Sequence, residues 1–421
     1  MGARKNPARS KPRTKRGIQA VTPSRVYAAN VTSAPITPGV LQWARARRSM
    51  TLIDLQKKLR VSADEIGAWE RGTAQPEYAK AQRLARALRI PFGFLFLPSR
   101  PADDMPLPDL RTRKDQRPDA PSTELLEVVN DALRRQEWYR EYAEENGTSP
   151  LSFVRKYGIS AGASAVAENM RDVLHVTEAT RRGCNSLESY LTQLTRNAES
   201  AGILVMRSGV VKHDTSRLLT ADEFQGFALC DDLAPVIFIN LQDVPAARIF
   251  TFAHEAAHLW IGASGISSPG WITEDISATD TQRVERFCHS VAAELLVPRS
   301  ELLEMWPPDS MGQVLTLASE FARHFWVSRI VVLRRAFELD LIERSEFFAA
   351  IQQIGRPQKP PRRTESGGNP WNTVPARNSV RFTDSVLAAL RERRLLHTDA
   401  ATLLAVSQPF LLRLASKRMV A

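Results

Sequence analysis

Between residues 39 and 97 apolar side chains recur every three or four positions in short blocks separated by turn formers, which predicts a set of short helices. Leu41, Ala44 and Arg48 are spaced for the first helix, and Thr51 opens a second with Leu55 and Leu59 on its inner face. Ser62-x-x-Glu65 is a capping-box signal for a third helix, which Gly72 ends. Pro76 opens a fourth, with Leu84 and Leu88 at (i, i+4), and the apolar run 91–97 closes the group. Seven prolines between 91 and 121 then mark an extended linker. Helical spacing covers 122–146 and 161–200, and apolar runs predict strands at 202–206, 224–230 and 236–240, with Asp231–Pro235 as a hairpin loop. Helical periodicity returns over 245–262, over 280–296 where Pro298 stops it, and over 312–350. A second proline-rich stretch precedes a last helical segment, and no internal repeat stands out.

This pattern predicts an α+β chain in seven parts. They are a basic tail (1–38), a helical domain (39–98), a linker (99–121), a core with a small antiparallel sheet (122–311), a helical region (312–355), a second linker (356–376) and a helical end segment (377–421).

Composition narrows the class. Of 421 residues 43% are apolar and 24% charged, the balance of a globular chain. No apolar run approaches the ~18 residues of a membrane span. The start has no apolar signal segment, and three scattered cysteines cannot form a disulfide framework, so a cytoplasmic protein is expected. The net charge of +11 prompts a nucleic-acid reading, but it is unevenly spread. Residues 1–30, 41–100 and 355–421 are strongly basic, and the remainder carries net −12. Any contact with nucleic acid therefore concerns the ends.

The chemistry lies in His-Glu-Ala-Ala-His at 254–258. On a helix His254 and His258 project from one face, close enough for one metal ion, and Glu255, offset by ~100°, reaches a water on the open coordination site. There it would act as general base while the ion lowers the water's pKa and polarises a carbonyl. Imidazole nitrogens suit zinc. In a chain with only seven histidines this motif arises by chance on the order of 0.01 times. A catalytic zinc needs a third protein ligand. Spacing leaves Glu274, Asp275, Asp280, Glu285, His289 and Glu294 open.

Residues 250–262, Phe-Thr-Phe-Ala-His-Glu-Ala-Ala-His-Leu-Trp-Ile-Gly, followed by Val284 to Pro298, closely resemble the ImmA/IrrE-type metallopeptidases. The resemblance implies that Glu285 completes a Zn²⁺ site with His254 and His258. Cys288, His289 and Val291 stand where that family prefers Ala, Asn and Phe, so His289 would orient Glu285, meet substrate, compete for the metal or simply pack. It also implies that 224–240 is the hairpin before the zinc helix, with 236–240 an edge strand that takes an extended peptide by strand addition. His213 and Arg217, in an intervening loop, read as solvated.

Residues 41–97 resemble the XRE (Cro/C1-type) helix–turn–helix family, with Val61–Ser62 at the turn and Ile66 and Trp69 in the core. The third helix offers Asp64, Glu65, Gly67, Ala68 and Arg71, and its acids would repel phosphates. Arg45, Arg47, Arg48, Lys57, Lys58, Arg60 and Arg71 remain for DNA-backbone contacts. Protein docking or dimerisation is the alternative for this domain. The segment 107–113 resembles the linker of XRE–ImmA/IrrE fusions. Residues 312–345 read equally as a second helix–turn–helix or as a buttress on the core. Together these resemblances imply a zinc endopeptidase fused to a regulator, cleaving a repressor or antitoxin. A DNA-binding regulator using its zinc domain only as sensor or scaffold is the rival.

Overall fold

Helix starts in the first part of the chain follow the capping residues. The helix α1 (Pro38–Arg47) carries Pro38 at its first position, where the missing N–H costs nothing. For α2 (Leu52–Leu59) Thr51 forms a reciprocal box with Asp54, side chain to backbone in both directions. In α3 (Ala63–Arg71) Ser62 accepts from the Glu65 N–H at 3.2 Å, but the Glu65 carboxylate takes Lys80 at 2.8 Å instead of closing the box. The capping box thus sits one helix earlier than expected. The helix α4 (Tyr78–Leu88) and a 3₁₀ turn at Phe92–Phe96 follow. Leu41, Leu55, Ile66, Trp69, Leu84 and Leu95 fill the core between them.

The computed structural model describes residues 33–48, 50–101, 106–107, 121–267, 280–308, 312–355 and 369–419. The chain divides into two compact units, Met1–Ala102 and Asp103–Ala421. Most of the basic tail, most of both linkers, and Glu274 and Asp275 lie outside the described residues, and nothing is described of the Asp280 side chain.

The second unit opens with α5 (Thr123–Glu145), α6 (Ala163–Leu174), α7 (Glu178–Arg182) and α8 (Leu187–Ser200). Then come β1 (Leu204–Ser208), the hairpin β2 (Val210–Val211) and β3 (Asp214–Leu218), β4 (Gly226–Leu229) and β5 (Val236–Asn240). The helix α9 (Pro245–Ile261), β6 (Gly265–Ser267), α10 (Asp280–Leu296) and α11 (Arg299–Met305) follow. The chain closes through α12 (Val314–His324), α13 (Arg329–Glu338), α14 (Arg344–Ile354), α15 (Pro370–Asn378), α16 (Val380–Arg391), α17 (His397–Leu403) and α18 (Gln408–Met419). Among the described residues no helix is long and apolar enough to cross a membrane.

The main sheet has the order β1-β5-β4-β6. The expected β4–β5 hairpin forms, in the register Phe227 to Phe238, and Asp231 accepts from the N–H groups of Leu233 and Ala234 to close its loop. Two expectations are corrected. Strand 236–240 is internal, flanked by β1 and β4, so its edges are occupied and strand addition there is closed. The sheet is also mixed, because β1 runs parallel to β5. The long connection through β2, β3 and β4 lets the chain return in the same direction, which a tight hairpin cannot do.

Side chains alternate across this sheet between two separate cores. Val205, Ala228, Ile237 and Ile239 face a core built with α6, α8, α9, α10, α12 and α13. Leu204, Met206, Phe227, Leu229, Val236 and Phe238 face a second core. Its cover includes Leu125 and Val129 of α5 with Phe382, Val386, Leu404, Leu411 and Leu414 of the end segment. The described part of the end segment, 377–419, is therefore one side of the sheet's packing. Helices α12 and α13 contribute Phe321, Phe325, Val331 and Val332 to the first core, the role of a buttress.

Glu199 of α8 ties the end segment down. Its buried carboxylate accepts from the Ser379 hydroxyl at 2.6 Å and the Val380 N–H at 2.7 Å, at the start of α16. Burial raises its pKa despite these bonds. A carboxyl raised on folding favours the folded state more as pH falls, the gain starting at its folded pKa and complete below its lower, unfolded pKa. Thermal melts from pH 7 to pH 4.5 should show this component in the wild type and not in Glu199→Gln. Parallel curves would refute it.

The structure also contains a repeat that the sequence did not disclose. Three times a helix ends on a left-handed residue followed by Val-Ser and a new helix, at Arg60, Trp326 and Ala405, with φ of 56°, 56° and 53°.

Candidate metal centre and peptidase site

Helix α9 is apolar on most of its circumference, with Ile249, Phe252, Ala253, Ala256, Ala257, Leu259 and Trp260 all buried. Phe153 stacks on Trp260 at 4.4 Å, the Trp260 indole donates to Asn169, and Gly262 in the left-handed region (φ +76°) ends the helix. His254, Glu255 and His258 are buried in this setting at 3%, 0% and 0% exposure. Such groups are costly in an apolar helix unless something compensates them.

The two imidazoles converge, with His254 Nε2 and His258 Nε2 3.1 Å apart. Helix α10 packs against α9 and brings Glu285 to both. One carboxylate oxygen is 3.3 Å from His254 Nε2 and the other 3.0 Å from His258 Nε2. Donors held ~2.0–2.1 Å from one tetrahedral ion lie ~3.3 Å from each other. The three side chains therefore fit a single four-coordinate cation, with the fourth position left over. Burial works against charge here, yet the imidazoles hold the Glu285 carboxyl well below the usual carboxylate range. Burial pushes His258 down, whereas at His254 the Glu285 charge outweighs burial and raises the imidazole.

Residues 198–337 match the family model of the IrrE N-terminal-like domain, peptidase M78, and residues 41–95 match that of a helix-turn-helix. The chain carries an IrrE N-terminal-like peptidase domain behind a helix-turn-helix domain. No curated protein and no solved structure matched the chain.

In the IrrE N-terminal-like domain the remaining third-ligand candidates separate by position. Glu294 pairs with Arg335 and accepts from the Arg299 N–H, so it serves the packing of α10 on α13. His289 stays at the site. Its ring lies 4.3 Å from that of His254 and 5.8 Å from Phe250, and it joins His254 and Glu285 in a group whose ligand atoms lie within 4.8 Å of one another. A carbonyl only accepts, so Nδ1 donates to the Glu285 backbone oxygen at 2.8 Å and the Nε2 nitrogen carries the lone pair. Burial, and then the neighbouring His254, push this imidazole down to about 3, so it is neutral across the physiological range.

Gly226 is a site residue the sequence reading passed over, although a lone glycine in a strand run signals close approach. A Cβ there would lie 2.6 Å from Thr251 Cγ2, 2.7 Å from the Phe238 carbonyl oxygen and 3.0 Å from a Glu255 carboxylate oxygen. Only glycine lets α9 lie this close over β4 with the Glu255 carboxylate between them. Gly226→Ala should lower stability by about 1–3 kcal/mol. It should also cut peptidase turnover more than an equally destabilising change remote from the site, read by comparing melting temperature with rate.

The other expected residues lie elsewhere. Arg217 is buried, not solvated, and pairs with Glu124 and Glu127 of α5. His213 is exposed, beside Arg377 and the Leu404 carbonyl. Both belong to the side of the sheet away from α9. In the helix-turn-helix domain Lys57, Lys58, Arg60 and Arg71 are exposed. Arg45 instead makes a two-pronged bond to the buried Glu70, at 2.6 and 3.0 Å, and donates to the Met50 carbonyl. Its charge is neutralised inside the domain. Arg47 lies 5.1 Å over the Trp43 ring, and Arg48 is half-buried.

Proposed function

We propose that the chain is a zinc-dependent endopeptidase whose partner is a protein substrate, a repressor or antitoxin. In this reading His254, His258 and Glu285 hold Zn²⁺, and Glu255 is the general base. The observation that carries it is the convergence of two Nε2 atoms and one carboxylate at tetrahedral spacing on two packed helices. Membership of 198–337 in a peptidase family, whose members are typically metal-dependent, supports it. When bound, the ion supplies Lewis-acid activation of water and of the scissile carbonyl. Glu255 takes the proton from the attacking water and passes it to the departing amine, and its buried setting over β4 favours holding that proton between the steps. His289, neutral and bonded to the Glu285 backbone, walls the His254 ring and steadies α10.

By cleaving a regulator, such an enzyme would release a prophage, mobile element or stress response, and its helix-turn-helix would dock on DNA or on another protein. The test incubates the protein with regulators encoded beside its gene, with and without a chelator, followed by zinc. Cleavage lost on chelation and restored by zinc is expected. Zinc bound at one equivalent with no regulator cleaved would favour the rival, in which the metal domain is a sensor or scaffold.

A further inference from the structure

The turn that occurs three times brings with it a shared core. Counting from the turn serine, the residue four positions on is Ile66, Val332 or Leu411, and seven positions on it is Trp69, Arg335 or Leu414. All six are buried. Seven positions before the serine stand Leu55, Phe321 and Ala400, and three before it stand Leu59, Phe325 and Leu404, again all buried. The first copy, α2–α3, lies inside the matched helix-turn-helix. The third, α17–α18, lies outside both family matches.

The copies differ in what their second helix leaves exposed. In α13 the positions equivalent to Ala63, Asp64, Gly67, Ala68 and Arg71 are Arg329, Ile330, Leu333, Arg334 and Phe337, of which only Arg329 is exposed and Leu333 is buried. In α18, among its described side chains, only Leu411 and Leu414 are buried. The positions equivalent to Ala63, Asp64, Gly67, Ala68 and Arg71 of α3 are Gln408, Pro409, Leu412, Arg413 and Ser416. Four of these are exposed polar or rigid side chains, and the fifth, Leu412, is a single apolar group at 53% exposure. Helix α18 carries no acidic residue, whereas α3 carries Asp64, Glu65 and Glu70. Across 377–419 there are eight basic and three acidic side chains. Two of those acids are ion-paired within the segment, Asp384 with Arg418 and Glu392 with Arg394.

We propose that α17–α18 is a second, duplex-DNA-binding helix–turn–helix, in which α18 enters the major groove. Gln408 and Arg413 reach base edges there, the side-chain types that pair with adenine and guanine, and Leu412 meets a thymine methyl. Lys417, over the Trp371 ring at 4.9 Å, faces the phosphates at the margin. Charge complementarity selects the polyanion over a protein surface: the open face carries Gln408, Arg413, Ser416 and Lys417, no acid, and two apolar side chains, Pro409 and Leu412. The proposal does not depend on proteolysis.

The test selects sequences from randomised duplexes with the full-length protein, then measures affinity for the enriched sequence across a salt series. Arg413→Ala should weaken binding to it by on the order of tenfold and relax the preference at one position, and Gln408→Ala should relax another. Arg413 is exposed and among the described residues makes only a 3.3 Å bond to the Pro409 carbonyl, so Arg413→Glu should fold normally and abolish the preference. Wild-type protein that enriches no sequence would overturn the proposal. So would α18 variants that select the wild-type sequence at wild-type affinity while Arg71→Ala alone loses it, or an α18 face that binds a protein and no duplex.

Discussion

Glu255→Gln is expected to lower the rate of substrate cleavage by about 10²–10⁴-fold, the usual contribution of a positioned general base, while leaving one equivalent of metal bound. The replacement is nearly isosteric, so the packing of α9 on β4 and the Gly226 approach persist. What disappears is the capacity to take a proton. Glu285→Gln acts on a different property: it removes the charge that faces both imidazoles at 3.0 and 3.3 Å, and metal affinity itself should fall. Metal analysis and single-turnover cleavage on both variants separate proton transfer from ion retention. Wild-type cleavage by Glu255→Gln would refute the peptidase mechanism.

Ending the chain at residue 355 should unfold the peptidase unit. The lost helices cover β1 and α5. Phe382 packs edge-on to Trp138 at 5.6 Å, Arg381 donates to the Tyr139 hydroxyl at 2.6 Å, and the Leu403 carbonyl accepts from the buried Arg135. Leu204 and Met206 of β1 lie in the same core as Phe382, Val386 and Leu404. Uncovering several large apolar side chains at about 1.5–3 kcal/mol each approaches the ~5–15 kcal/mol total stability of a domain. The truncated protein should be insoluble, or soluble without a cooperative melt. A truncated chain melting at the wild-type temperature would show that α15–α18 are dispensable.

Local patterns in the sequence predicted the elements well where their causes are local. The caps at Thr51 and Ser62, the proline start of α1 and the end of α9 at Gly262 depend on residues a turn apart. His254, Glu255 and His258 were legible for the same reason, because a helix of any surroundings sets the (i, i+4) geometry. Which carboxylate or imidazole of α10 meets the two histidines was not legible from spacing. Glu285, His289 and Glu294 all ride on α10, and only its packing against α9 turns Glu285 to the imidazoles and Glu294 to Arg335.

By itself the sequence determined most of the helices and three strands of the main sheet but not β2, β3 or β6, where the charge lies, and that two histidines share one helical face with a glutamate offset beside them. Tertiary structure alone decided that β5 is internal, that the basic end segment closes the far side of the sheet, and that a helix–turn–helix geometry recurs there with its second helix open. Periodicity records that a face is buried but not what buries it. Strand order, the cover of each face and the side left to solvent depend on contacts between residues far apart in the chain, and no local pattern encodes them.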